Sequence, residues 1–574
     1  MANCEFTNEL NRLRKSSSDS IDNVEKFDQF KSYMHVVRTA EEDLKGILRK
    51  VNASGKKTLV LLCGSAGDGK SHLLSYLKNF DKEHLIDNYF VYNDATESSA
   101  PSKTAIETLN DFLSSYKDKN LAMPGQNVIL AINLGVLSNF IESEYGESFN
   151  TLREYVENSN ILTSQVNDNK YDSESYFQHV SFSDYHMYSL TIEGIHAGYI
   201  EKILEKVFTP SEENLFYKSY SEACSTCTLS KRCPVKMNYE YIMNKERQKF
   251  VAELMVKTTI QDKMILTTRE ILNFICDIVV SQKFNINQFH SISTDDSDYL
   301  KEFIKQITPA LLFDSADVTT LMNIFKKYDP LLLRSEEADE MAISYYVSSN
   351  VTQEIKNAFE NSPYYDIVCE DNMIEKINED RTLKISIYGL LVRLQAIDGG
   401  VASEETYNKY LRDLYWYNSG EKKKLNGVYT LIEKAVTQWC GSDEDGNYCL
   451  DNRHSGFSLY EKVDMVPNLE QVPHPKETEE LQRFIPSIIA SFDGTNGEKI
   501  DLDIDYSLYD LLDKLNRGYI QTADDRNNHA DFISFVNQIL QTGSLAKSLT
   551  VLSENGTKAI ISQSTFGYKF KVVK

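Results

Sequence analysis

Apolar positions change their period three times along the chain. Through residue 55 they recur at helical spacing, as in Glu41-Glu42-Asp43-Leu44-Lys45-Gly46-Ile47-Leu48, and the pattern stops at Asn52-Ala53-Ser54-Gly55. From Lys57 to about Thr209, short apolar runs alternate with helical stretches. This spacing predicts strands at 58–63, 89–93, 127–133 and 177–182, with helices at 69–80, 102–117 and 197–208. Strands joined by crossover helices make a parallel sheet. The polar run from Asn158 to Ser175 reads as a mobile loop in this region. Beyond Tyr239 the period is helical to about Cys440, as in Arg269-Glu270-Ile271-Leu272 and Leu383 through Leu394. Past Gly441 the pattern shortens again. Ile500-Asp501-Leu502-Asp503-Ile504-Asp505 alternates, helices are expected near 507–517 and 529–541, and Glu554-Asn555-Gly556 is a turn between strands at 548–552 and 558–562.

The organisation expected is an N-terminal helical segment (1–55), an α/β core (56–222), a cysteine-rich insert (223–240), a helical lid or body (241–440) and a C-terminal α+β domain (441–574). A chain of 574 residues exceeds one compact core. Composition adds little: 41% hydrophobic and 25% charged residues match a globular protein. No run approaches the roughly 20 apolar residues that span a bilayer. The start, MANCEFTNEL, lacks the apolar core of a signal peptide, so a cytoplasmic location is expected. Charge changes the picture more. At −24 the chain repels a polyanion at long range, so any contact with DNA calls for a local patch or a partner.

Between the first expected strand and its helix lies Gly64-Ser65-Ala66-Gly67-Asp68-Gly69-Lys70-Ser71, a full match to G-x-x-x-x-G-K-[ST]. The implied fold is an α/β P-loop NTPase with a parallel sheet, ASCE/STAND-like, followed by the helical lid body and the α+β domain. Glycines let backbone N–H groups converge on phosphate at a helix N-terminus. Gly64 through Ser71, with His72, are therefore the expected nucleotide-binding positions. Lys70 is expected on the β and γ phosphates of ATP and the Ser71 hydroxyl on Mg2+.

Hydrolysis needs further groups. Asp94, after the second strand, is the first choice for the Mg2+-side carboxylate, against a reading in which Asn93-Asp94-Ala95-Thr96 only caps the next helix and turn. The third strand ends in Asn133 where an acid would normally stand, and Asn133 is expected to orient water. Arg269, opening a lid helix, is the candidate to reach the γ-phosphate, with an ordinary surface arginine as the alternative.

Cys224, Cys227 and Cys233-Pro234 form C-x2-C-x5-C. Three thiolates so close suit Zn2+ or an iron-sulfur cluster, and either usually takes a fourth protein ligand. His186, His196 and Cys276 are the candidates. The cysteines at 4, 63, 276, 369, 440 and 449 show no ligand spacing among themselves and read as packing or bystander thiols.

Several stretches together carry a resemblance: Phe30 through Arg38, Gly64 to Leu74, Asn93-Asp94-Ala95-Thr96 and Ile132-Asn133-Leu134-Gly135. The cysteine segment, Leu266 to Phe274, Asp329-Pro330 with Arg334, Ile504 through Tyr509, Gly518-Tyr519 and Asp525-Arg526 extend it over nearly the whole chain. It resembles the DptF (DndF) family, the P-loop ATPases of DNA phosphorothioation-dependent restriction systems. The resemblance implies an anti-phage role with DptG and DptH partners, restricting DNA that lacks the sulfur modification, with Lys70 and Ser71 binding nucleotide. It assigns no role to Asp94, Asn133 or Arg269. The competing expectations are a nucleotide-sensing scaffold with little turnover and, without a supporting carboxylate set, a nuclease.

Overall fold

A computed structural model describes residues 4–18, 29–65, 67–93, 104–162, 166, 169–282, 289, 297–315, 319–333, 336–401, 404–451, 456–476, 478–494, 497–542, 548–565 and 567–573. The chain forms two compact units, Met1–Ser189 with His196–Ala402, and Leu190–Ile195 with Ser403–Lys574.

In the first unit, helices α1 (Glu5–Ser18), α2 (Gln29–Met34) and α3 (Thr39–Ser54) precede a sheet of four parallel strands. These are β1 (Leu59–Cys63), β2 (Tyr89–Tyr92), β3 (Asn127–Ile132) and β4 (Phe177–Ser181), in the order β2-β3-β1-β4. The fold is thus mixed α/β. Leu59 pairs with Val128 on one side and Phe177 on the other, so β1 is central and every one of its residues is buried. A parallel sheet covered on both faces needs such a continuous apolar run. Alternate side chains serve opposite layers. Leu59, Leu61 and Cys63 pack with Leu109, Leu137 and Leu152, drawn from α5 (Ala105–Phe112), α6 (Leu134–Glu142) and α7 (Asn150–Asn158). Val60 and Leu62 pack with Leu44 and Leu48 of α3 and Leu73 and Leu77 of α4 (Lys70–Phe80).

The helix expected over 102–117 is shorter. α5 ends at Phe112 and two 3-10 turns follow, Ser114–Tyr116 and Asp118–Asn120. Their carbonyls have a tertiary partner: the Lys57 ammonium donates to Ser115 O (3.0 Å) and Asn120 O (2.8 Å). Two short strands, Tyr185–Thr191 and Gly194–His196, are also additions to the expected pattern.

After them come α8 (Gly198–Phe208), α9 (Leu215–Thr226), α10 (Pro234–Ile242), α11 (Lys245–Gln261) and α12 (Thr268–Asp277), and the described elements stay helical to Gly399. In the second unit, helices Glu405–Ser419 and Asn426–Cys440 lead into two antiparallel sheets. Lys499–Ile504 alternates exposed and buried as its sequence predicts, and Ser548–Ser553 pairs antiparallel with Lys558–Ser564.

Candidate functional site

The loop between β1 and α4 is shaped by backbone that only glycine adopts freely. Gly67 (φ 90°) and Gly69 (φ 92°) are left-handed, and Gly69 delivers the chain into α4 at Lys70. Upstream, Gly64 N–H donates to Ile132 O at 3.2 Å, tying the loop to the end of β3. Ala66 lies outside the described residues. Within the loop, the Asp68 carboxylate accepts Ser65 N–H at 2.5 Å and Lys70 Nζ donates to Ser65 O at 2.7 Å. Burial pushes the Asp68 carboxyl above its ordinary range, against the opposing pull of Lys70, Ser65 N–H and Arg38.

This loop opens on a cavity of about 470 Å³ at the carboxyl ends of the strands, where open parallel sheets bind ligands. Gly67 through Leu73 form one wall and the strand ends at Asn93 and Asn133 another. The opposite side is α12, from Thr267 to Glu270, with Tyr199 and Ile203 of α8. Phe30, Met34 and Val36 add apolar surface beside Lys31, His35, Arg38 and Glu41. The lining thus combines the glycine-rich loop and several cations with apolar side chains.

Arg38 braces this arrangement. Its guanidinium donates to Asp68 O (2.7 Å) and Tyr185 O (3.1 Å) and lies 5.4 Å from the Tyr199 ring centre. Behind the loop runs a chain of polar side chains. His72 Nε2 is 3.2 Å from His35 Nδ1, His35 Nε2 is 3.0 Å from Glu41 Oε2, and Glu41 Oε1 meets Lys45 Nζ at 2.7 Å. Burial, with the charges of His35 and Lys31, pushes the His72 imidazole down to about 4. Burial alone would raise Glu41, but hydrogen bonds from His35 and Lys45 hold it below the usual carboxylate range.

The expected site residues divide. Lys70, Ser71, Asn133 and Arg269 line the same cavity. Asp94 lies outside the described residues; its neighbour Asn93 lines the cavity with Oδ1 buried and, among the described residues, without a hydrogen-bond partner. Asn133 Oδ1 is already engaged, accepting Val136 N–H at 2.9 Å as the cap of α6. Arg269 stands in the first turn of α12, whose start is set by a reciprocal cap between Thr267 and Glu270. Arg38, His35, Tyr199 and Thr267 were missed as cavity residues. The run Phe30–Arg38 ahead of the loop was the only sequence signal for the first two.

Cys224 lies near the end of α9, Cys227 is exposed just beyond it, and Cys233 caps α10. Cys276 does not join them: it is buried on α12 with its thiol 3.8 Å from Asn11 Oδ1. Burial pushes Cys224 up to about 12 and Cys233 up to about 11, and the nearby thiols Cys4 and Cys227 push both the same way. Among the described residues, no group of three or more His, Cys, Asp or Glu stands ready-made around a metal position, and no helix is long and apolar enough to cross a membrane.

No family model, curated protein or solved structure matches this chain.

Proposed function

We propose that the chain binds ATP with Mg2+ in the loop cavity and hydrolyses it, as the P-loop ATPase subunit of a phosphorothioation-dependent DNA restriction complex. The observation that carries the nucleotide reading is the meeting of Gly67–Ser71, at the start of α4, with Arg269, at the start of α12, across one cavity. Two helix N-termini, a lysine and an arginine line a space that also carries apolar side chains, which fits a polyphosphate carrying a base. The restriction role and the DptG- and DptH-type partners rest on the resemblance of the ordered sequence stretches. The charge of −24 fits docking to a basic partner better than wrapping DNA directly.

In this reading Lys70 leaves Ser65 O for the β and γ phosphates, and loop N–H groups take the remaining oxygens. Ser71, with Asn93 and the adjoining Asp94, would hold Mg2+, whose charge offsets that developing on the phosphates. The orphaned Asn93 Oδ1 fits a hydrated cation. Arg269 would meet the γ-phosphate, and Asn133 would orient water through its amide nitrogen, its oxygen being held by Val136.

The sensing scaffold has one observation in its favour. Asp68 occupies the Ser65 N–H and Lys70 the Ser65 carbonyl, so the loop satisfies its own groups, as in a site of slow turnover. Single-turnover hydrolysis separates the two. The ATPase reading expects [γ-phosphate] release that Lys70→Ala abolishes, together with loss of phage restriction in cells carrying that variant. Tight ATP binding with no phosphate release by the complete complex would replace it with the scaffold.

A further inference from the structure

We propose that Tyr199 is a positioning residue that sets Arg269 for the γ-phosphate and couples it to the glycine-rich loop, through its hydroxyl on Thr268 and its ring on Arg38. Within the ATPase reading of the cavity, on which this role rests, Tyr199 acts through Arg269 and not on the nucleotide itself.

Tyr199 stands in the first turn of α8 and lines the cavity together with Ile203, one turn further on. Its hydroxyl oxygen lies 3.0 Å from Thr268 Oγ1, so the two hydroxyls share a hydrogen bond. Thr268 is the first residue of α12 and Arg269 the second. One bond thus joins the opening turns of two helices whose linked residues are 69 positions apart.

The opening turn of α12 is held at a second point. Thr267 N–H donates to Glu270 Oε2 at 2.8 Å and Glu270 N–H to Thr267 Oγ1 at 3.2 Å, which closes the turn on itself. The methyl group of the same Thr267 rests against Gly67 of the loop, 3.0 Å from where a Cβ there would stand. Successive residues of a helix diverge by about 100° around its axis. Thr267 on the loop and Thr268 on Tyr199 are therefore two separate attachments, and the turn cannot pivot about one without breaking the other. Arg269 follows them directly and inherits that fixed backbone. Placement matters at this scale, since an error of about 1 Å in a reacting group can cost about 100-fold in rate.

The ring of Tyr199 supplies the link back to the loop. The Arg38 guanidinium lies 5.4 Å from its centre and 5.7 Å from that of Phe182, and it donates to Asp68 O at 2.7 Å. Asp68 in turn accepts Ser65 N–H at 2.5 Å, and Lys70 Nζ donates to Ser65 O at 2.7 Å. An unbroken series of contacts therefore runs from Lys70 through Ser65, Asp68, Arg38, Tyr199 and Thr268 to the turn that carries Arg269. When Lys70 exchanges Ser65 O for phosphate, the change in the loop is passed to Arg269 along it.

Single-turnover hydrolysis and ATP binding by the full chain, in Tyr199→Phe, Arg269→Ala and the double variant, test this. Tyr199→Phe keeps the ring on Arg38 and loses only the hydroxyl. Hydrolysis is expected to slow by about 3- to 10-fold, the size of one net hydrogen bond, with ATP affinity unchanged. Added to Arg269→Ala, the same substitution is expected to slow hydrolysis no further, a non-additivity that a general structural defect would not produce. Thr268→Val removes the other end of the bond and should reproduce Tyr199→Phe, alone and on the Arg269→Ala background. A wild-type rate in Tyr199→Phe, an equal slowing with and without Arg269, or a parallel loss of ATP affinity would each overturn the role of Tyr199 while leaving the ATPase reading in place. A wild-type chain that hydrolyses no ATP with its partners present would instead overturn that reading, and the role of Tyr199 with it.

Discussion

Thr267 rests directly on Gly67: a Cβ at position 67 would come within 3.0 Å of Thr267 Cγ2. The residue that caps α12 therefore touches the glycine-rich loop where that loop has no side chain. Gly67→Ala would have to displace Thr267 and also hold alanine at φ 90°, a region costing about 1–2 kcal/mol. ATP affinity is expected to fall about tenfold or more by calorimetry. Gly46→Ala, in a helix with nothing within 4 Å of the new Cβ, should leave binding unchanged and stabilise the fold slightly. Equal effects of the two would show that the contact does not matter.

Arg269→Ala separates binding from chemistry. If the guanidinium meets charge that develops only during transfer, hydrolysis slows by about 100-fold while ATP affinity stays near wild type. Parallel loss of both in equilibrium binding and single-turnover assays would instead make Arg269 a binding residue.

His72 makes stability depend on pH. Its folded pKa, about 4, lies below the unfolded value near 6.5. Between those values the unfolded chain takes a proton that the folded chain refuses, so stability is lost as pH falls from about 6.5 toward 4, by as much as about 3 kcal/mol. Thermal unfolding at a series of pH values should show His72→Gln with a flatter acid limb than wild type. Asp68 works the other way. Its raised carboxyl gains a proton more readily in the folded chain, so its contribution to stability grows as pH falls through its folded pKa, and so does affinity for anionic phosphate.

Arg393 joins two carboxylates inside the helical part of the first unit. It donates to Asp314 at 2.6 Å from two nitrogens and to Asp329 at 2.6 and 3.1 Å, with Asp329 only 6% exposed. Arg393→Met strands the buried Asp329 and should cost about 3–5 kcal/mol in urea unfolding. Adding Asp329→Leu should recover much of the loss. A double variant no more stable than the single one would locate the cost in packing around the arginine.

Local patterns announced the sheet and the loop because each is written in adjacent residues. Leu59-Val60-Leu61-Leu62-Cys63 carries apolar side chains for both faces, so a buried strand of a parallel sheet was legible there though its central position was not, and Gly67 and Gly69 carry their geometry in their own backbone preferences. The same holds for the alternation at 499–504. The end of α5 was not legible, since the carbonyls beyond Phe112 are satisfied by Lys57, a residue 58 positions away from Ser115.

Sequence by itself determined that a glycine-rich loop ending in Lys70-Ser71 stands between a buried strand and a helix, and that three cysteines lie close together along the chain. Only the tertiary structure decided which distant groups face the loop. Arg38 and Thr267 reach the loop and Arg269 lines the same cavity, brought together from segments far apart in the chain. Such packing depends on the summed shape of many side chains at large separation, which no short window of residues encodes.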